Sequence, residues 1–363
     1  MLGSLRDHCP VTTERFDDYM ARCLYDSEAG FYTQHGNAGR GRGDFVTSPE
    51  VGPLFGLVLS RALDAWWTEL GRPDPFWVVE AGAGRGALAK AVLVASPECG
   101  VAGALRYVTV ELSPRLRAEQ LELLGDSVAI CATLDDAAQL AGQSEAGERF
   151  TGVILANELL DNLPFRMVSR SADVDGGGWD EVVVIDGIPA LADPDEIAGP
   201  IARALPDAPA GERLPVCEQA ASWVADAVSR LERGRVITID YGTLTSGELV
   251  GRRWLRTYRD HQRGADPFEA PGRCDITCDV PFDQLRPASL LETQAEFLER
   301  FGVAELVAEG RRVWAERAHL GDLVAVRARS RVAESAGLLD PDGLGSFLVA
   351  HWIVDGSAPA ETP

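Results

Sequence analysis

Residues 78–88 read VVEAGAGRGAL: an apolar run ends on a carboxylate, turns through three alternate glycines and resumes as an apolar segment. The run 76–81 (FWVVEA) has the continuous apolar character of a strand buried on both faces. Residues 87–95 (ALAKAVLVA) read as a helix. Between them, Gly82, Gly84 and Gly86 permit positive backbone angles and leave no side chain between the turn and a bound molecule. The pattern is acidic-x-G-x-G-x-G, not the G-x-G-x-x-G that seats a pyrophosphate on a helix N-terminus. A structural tight turn is the plain alternative.

The alternation of strand and helix continues outward from this turn. Residues 106–111 (RYVTVE) read as a second strand, followed by a helix opening at Ser113-Pro114. Short apolar runs at 127–131, 152–156 (GVILA) and 235–240 (RVITID) read as further strands, the last preceded by a helix over 218–233. Residues 347–354 (FLVAHWIV) return as a final strand. Apolar strands alternating with helices imply an α/β fold with a doubly wound, Rossmann-like parallel sheet covered on both faces. The expected organisation is N-terminal helices and a glycine-rich segment over 1–72, a core over 73–245 with a hairpin insertion at 165–200, an accessory region over 246–345, and a last strand and tail over 346–363. The glycine-rich stretch 30–43 is a candidate lid, or an ordinary surface loop.

Two more groups of residues fall at strand ends. Glu111 closes the second strand, 25 residues after Gly86, a separation that fits one helix and one strand. A carboxylate there is placed to accept both hydroxyls of a ribose, or else is a solvated strand-end charge. Residues 156–164 (ANELLDNLP) crowd Asn157, Glu158 and Asp161 onto the loop after the fourth strand, where they meet a ligand or serve as a helix cap. The carboxylate Glu80 beside a phosphate-free glycine turn suits S-adenosylmethionine (SAM), whose sulfonium and ammonium are positive. Glu80, Gly82, Ala83, Gly84, Gly86, Glu111, Leu112 and Asn157 are therefore the candidate cofactor-binding residues.

Composition narrows the chemistry further. The 363 residues carry 34 basic and 56 acidic side chains, a formal net charge of −22, which repels nucleic-acid backbones and favours a basic partner or a small ligand. Lys90 is the only lysine, so there is no GxxxxGK phosphate loop and a single candidate for Schiff-base chemistry. The seven cysteines are scattered, and Cys274 and Cys278 lack a second Cys or His pair, so no metal site is expected. Charged residues interrupt the first thirty positions, leaving no apolar stretch long enough for a signal peptide, and no run approaches the ~20 apolar residues of a membrane span. The expectation is a cytoplasmic protein with reduced thiols.

Segments 24–32 (LYDSEAGFY), 43–56 (GDFVTSPEVGPLFG), 80–89 (EAGAGRGALA), 157–166 (NELLDNLPFR), 237–242 (ITIDYG), 257–261 (TYRDH), 266–282 (DPFEAPGRCDITCDVPF) and 293–298 (TQAEFL) together resemble the MidA/NDUFAF7-type class I SAM-dependent methyltransferases, the SAM-dependent methyltransferase 28 group. The resemblance runs in order along nearly the whole chain. It implies a methyltransferase core with an added accessory region, and mitochondrial relatives associated with complex I assembly and arginine methylation. By position it makes Thr47 and Ser48, with Asp44, Pro49 and Glu50, part of a segment closing over the cofactor. If the acceptor is an arginine, its guanidinium must be held by carboxylates, and Glu158 and Asp161 are the candidate clamp. His261 matches a histidine of the family and is a candidate base, or a structural histidine. Departures at 216–223 (VCEQAASW) and at Asp260 touch the acceptor side, so a small metabolite or peptide acceptor stays open. So does a SAM-binding assembly factor without turnover. A nicotinamide-dependent oxidoreductase would need the longer glycine spacing.

Overall fold

The apolar runs lie side by side in one sheet. The computed structural model describes residues 13–34, 47–142, 149–172, 178–193, 197, 199–259, 262–264 and 266–356. Asp44, Asp260, His261 and most of the candidate lid at 30–43 lie outside the described residues. The sheet has seven strands: β1 (Phe76–Ala81), β2 (Leu105–Val110), β3 (Ala129–Cys131), β4 (Phe150–Asn157), β5 (Leu231–Asp240), β6 (Leu290–Thr293) and β7 (Leu348–Val354). Their spatial order is β6-β7-β5-β4-β1-β2-β3. The five strands from β5 to β3 are parallel, and β7 runs antiparallel between β5 and β6.

Alternate side chains of each strand enter different cores, as the two-residue period requires. Val79, Val108, Ile154 and Val236 join Phe16, Tyr19 and Met20 of helix Phe16–Tyr25 and Val224 and Ala227 of helix Glu218–Ser229. Val78, Val153, Leu155 and Ile237 join Leu54, Phe55 and Val58 of helix Pro53–Glu69 and Leu88, Ala89 and Val92 of helix Ala87–Ala95. Each fully buried Leu, Val or Phe contributes about 1.5–3 kcal/mol by leaving water, so both faces are held by burial. Helices Pro53–Glu69 and Ala87–Ala95 touch where Gly56 meets Ala91: a Cβ on Gly56 would lie 2.4 Å from the Ala91 Cβ.

Chain connections leave β1 toward β2 on one side, whereas β4 adds on the other. At that reversal the loops after β1 and β4 diverge and open a crevice beyond the carboxyl ends of the strands. Two additions lie outside the central sheet. Arg166–Arg170 and Trp179–Ile185, in the stretch expected as a hairpin, pair antiparallel and recruit Thr13–Arg15, Ile188–Ala192 and Arg213–Val216 into a five-stranded sheet. Downstream, Leu255–Arg259, Gln262–Arg263 and Asp275–Cys278 form a small antiparallel sheet. Helices Val303–Arg317 and Leu323–Leu338 follow it. The strand β6, within the stretch expected as accessory, belongs to the central sheet. Its sequence LLET is short and shows no apolar alternation; both leucines are exposed, and as an edge strand it pairs with one neighbour only.

Candidate active site

The glycine turn after β1 is built as the spacing requires. Gly82, Gly84 and Gly86 have φ of 67°, 54° and 81°, in the left-handed region open to glycine. A Cβ on Gly84 would meet no protein atom within 4 Å, because that side of the turn faces a cavity of about 510 Å³. Gly86 is not on the cavity wall. A Cβ there would lie 2.9 Å from Leu124 Cδ1, so Gly86 serves the packing of helix Pro114–Leu124 against the turn.

Two side chains pin the turn from outside. Glu111, just past β2, accepts the Gly84 N–H at 3.0 Å on one oxygen and the Ser113 N–H at 2.8 Å on the other. Each oxygen keeps a second lone pair, so the carboxylate fits a vicinal diol presented from the cavity. Burial pushes its pKa up, and those two N–H groups pull it back. Gln120, fully buried, donates to the Gly84 carbonyl at 2.6 Å and accepts from the Thr109 hydroxyl at 2.7 Å. Nothing in the glycine motif announces Gln120, since it comes from the following helix. Glu80, also on the wall, is buried and accepts the Tyr107 hydroxyl at 2.7 Å. Burial raises its pKa to about 7 against that hydrogen bond. Ala83 and Leu112 line the cavity as well, Leu112 as an apolar side chain left 61% exposed.

The loop after β4 forms the opposite wall. Asn157 and Glu158 line the cavity, and Glu158 holds a left-handed φ of 54°, a strain of about 1–3 kcal/mol for a residue with a side chain. Its backbone N–H is anchored on the Ile239 carbonyl of β5 at 2.8 Å. Its carboxylate accepts the Ser48 backbone N–H at 3.2 Å and the Asn157 amide at 3.1 Å. No cation is paired with it among the described residues. Burial first, and then the neighbouring Asp161 and Glu50 charges, raise its pKa to about 8.

Asp161 falls behind this wall. It sits in the single turn Leu160–Asn162, is 3% exposed, and its Oδ1 is buried without a hydrogen-bond partner. Burial raises its pKa to about 6, held back by the nearby Tyr241 and Thr277 hydroxyls and the Arg256 charge. Asp240 stands next to it and accepts the Leu160, Asp161 and Tyr241 N–H groups. Asp275 accepts the Tyr32 hydroxyl and the Asn162 amide, both at 2.9 Å, and burial followed by the Asp161 charge raises its pKa to about 8. The residue that does share the wall with Glu158 is Glu50, whose Oε2 is buried without a partner. Thr47 lines the cavity and Ser48 does not; Ser48 is fully buried and reaches the site through its backbone N–H. Among the described residues no His, Cys, Asp and Glu cluster is arranged to hold a metal.

The cavity thus has a glycine turn and a diol-ready carboxylate on one side, and on the other the Glu158 carboxylate, which has no ion pair among the described residues, beside Glu50, whose charge Arg85 partly offsets. That combination fits a nucleoside carrying positive charge, and the family comparison agrees. The model of a family described as "Putative S-adenosyl-L-methionine-dependent methyltransferase" matches residues 58–299. The chain belongs to this family and is a SAM-dependent methyltransferase.

Among solved structures, it is similar to a Burkholderia thailandensis protein described as a "likely methyl transferase" and solved with S-adenosyl-homocysteine bound. The two are 30% identical with a TM-score of 0.75, over 96% of this chain and 89% of that one. It is also similar to the mitochondrial protein arginine methyltransferase NDUFAF7 of Danio rerio, 28% identical over 79% of this chain and 72% of the relative. The homologue from Drosophila melanogaster is 31% identical over 74% of this chain and 65% of the relative. These relatives correct the expectation of a cytoplasmic protein: the fish, fly and human proteins are all named as mitochondrial.

Proposed function

We propose that this methyltransferase acts on a guanidinium nitrogen of an arginine in a protein partner. In this reading SAM lies between the 82–84 turn, Glu80 and Glu111, and the acceptor enters between Glu158 and Glu50. The sheet is read as the doubly wound class I methyltransferase arrangement, on the strength of its 3-2-1-4-5-7-6 order. The observation that carries the acceptor assignment is the Glu158 carboxylate, strained, on the cavity wall and without a cation. Leaving a carboxylate in that state is costly, and a bound guanidinium relieves the cost. The names of the relatives and the net charge of −22 point the same way, toward a basic protein substrate.

SAM supplies an electrophilic methyl group on a sulfonium. What the chain supplies is alignment and charge. The turn and Glu111 hold the nucleoside, so an in-line approach is set by the opposite wall, and such positioning can remove ~7–11 kcal/mol from a barrier. A guanidinium has a pKa above ~12 and its nitrogen lone pairs are delocalised. Carboxylates bonded to two of its N–H groups draw the positive charge toward themselves and leave the third nitrogen more nucleophilic. As the N–C bond forms and the C–S bond breaks, the electron pair stays on sulfur, and the nitrogen proton passes to the Glu158 carboxylate. Its raised pKa makes it a better proton acceptor than an ordinary glutamate.

The test is product identity. The enzyme is incubated with deuteriomethyl SAM and matched peptide pools that contain either arginine or lysine, and the hydrolysed products are resolved by mass spectrometry. Labelled methylarginine from the arginine pool alone is expected. Label in methyl-lysine, or in neither pool but in small metabolites from an extract, contradicts the acceptor assignment.

A further inference from the structure

Segments 43–56 and 293–298 stand out in the sequence, and nothing in the mechanism so far uses the second. In the fold they meet. Thr293 caps helix Gln294–Arg300, exchanging hydrogen bonds with Glu296, so the helix start is fixed. The next residue, Gln294, is fully buried. Its Oε1 accepts the Ser48 hydroxyl at 2.8 Å and its Nε2 donates to the Leu338 carbonyl at 3.1 Å. Its backbone N–H donates to the Phe347 carbonyl at 2.7 Å, just before β7. Ser48, also fully buried, presents its backbone N–H to the Glu158 carboxylate. These hydrogen bonds run in sequence from Leu338 at the end of helix Leu323–Leu338, through Gln294 and Ser48, to Glu158 on the cavity wall.

We infer that Gln294 is a positioning residue: by holding Ser48 between the end of helix Leu323–Leu338 and the β4 loop, it aims the Ser48 N–H at Glu158 and keeps that carboxylate oriented at the cavity. The inference rests on Glu158 facing the charged end of SAM. Gln294 carries no charge, so it acts by geometry. The ionisable groups facing Glu158 are Asp161 from its own loop, Glu50 from the short helix Ser48–Val51 and Asp240 at the end of β5, all acidic. Against those three, the Ser48 N–H and the Asn157 amide are the groups that favour the ionised form. A slackened Ser48 leaves Glu158 protonated to higher pH.

SAM and S-adenosyl-homocysteine read this directly. They share the same amino group and differ in the sulfonium, so the ratio of their dissociation constants isolates the field at the methyl position. With burial raising the Glu158 pKa to about 8, the wild-type preference for SAM is expected to grow across pH 6–9. Glu158→Gln removes the part of that growth above about pH 7. Gln294→Leu and Ser48→Ala keep it, with the midpoint moved up by about half a pH unit or more. Ser48→Ala deletes one hydroxyl and decides the matter if Gln294→Leu does not fold. A wild-type midpoint in the folded variants overturns the role of Gln294. Glu80 also lines the cavity and its pKa is raised to about 7, so only the component of the growth above it is Glu158's: if that component persists unchanged in Glu158→Gln, Glu158 does not face the sulfonium and the ground of the inference is removed.

Discussion

Gly84→Val is expected to reduce SAM affinity by at least about 100-fold while the chain stays folded. The backbone at Gly84 is left-handed and cannot relax, because its N–H is held by Glu111 and its carbonyl by Gln120. A side chain there meets no protein atom and projects into the cavity. Two costs follow, and they differ in kind. Holding a branched residue left-handed costs about 1–2 kcal/mol of stability, a fraction of the 5–15 kcal/mol of a typical domain. Filling part of the cofactor's place falls on affinity instead of stability. Gly103→Val separates the two: its φ is 79°, also with no protein atom near a Cβ, but it does not line the cavity. Calorimetry with SAM and thermal unfolding of both variants check this. Comparable stability losses with loss of binding only at position 84 are expected. Normal affinity in a folded Gly84→Val protein would remove the turn from the site.

Glu158→Gln is expected to slow methyl transfer by about 10²–10³-fold, within the range by which general bases and charged transition-state contacts contribute. Glutamine retains an oxygen for the Ser48 and Asn157 donors, so the loop keeps its shape. What it loses is negative charge and the capacity to take a proton. The loss therefore falls on turnover, and SAM affinity changes by no more than about tenfold, because Glu80 and Glu111 stay in place on the other wall. Asp161→Asn makes a useful contrast. That side chain lies behind the wall, so its effect is smaller and reaches the reaction through Glu158's charge. Single-turnover rates with the arginine peptide pool measure both. A Glu158→Gln enzyme that turns over at the wild-type rate would exclude Glu158 from the chemistry.

The parts of this arrangement that were legible in the sequence share one physical trait: their signal is local. Strands β1, β2, β4 and β5 announce themselves as apolar runs because both of their faces are covered. The glycine turn is visible because alternate glycines at a strand end have few other reasons to occur. The edge strand β6 is hidden, since one neighbour imposes little on four residues. Adjacency also misleads within the site. Glu158 and Asp161 are three residues apart, yet the single turn Leu160–Asn162 carries Asp161 behind the wall, and Glu50, more than a hundred residues away, faces the cavity instead. Gln120 lies in none of the motif segments, and Gln294 lies in one, 293–298, without any sign there of what it bonds. An amide that satisfies a backbone or hydroxyl group in another element is an ordinary glutamine until the chain is folded.

The central claim is that SAM occupies the crevice between the 82–84 turn and the loop after β4. A crystal structure with S-adenosyl-homocysteine bound tests it most directly. The account predicts both ribose hydroxyls within hydrogen-bond distance of Glu111, with the sulfur directed toward Glu158 and no displacement of the Gly84 N–H from Glu111. A nucleoside found away from Glu111, or a sulfur turned from Glu158 toward solvent, would contradict it.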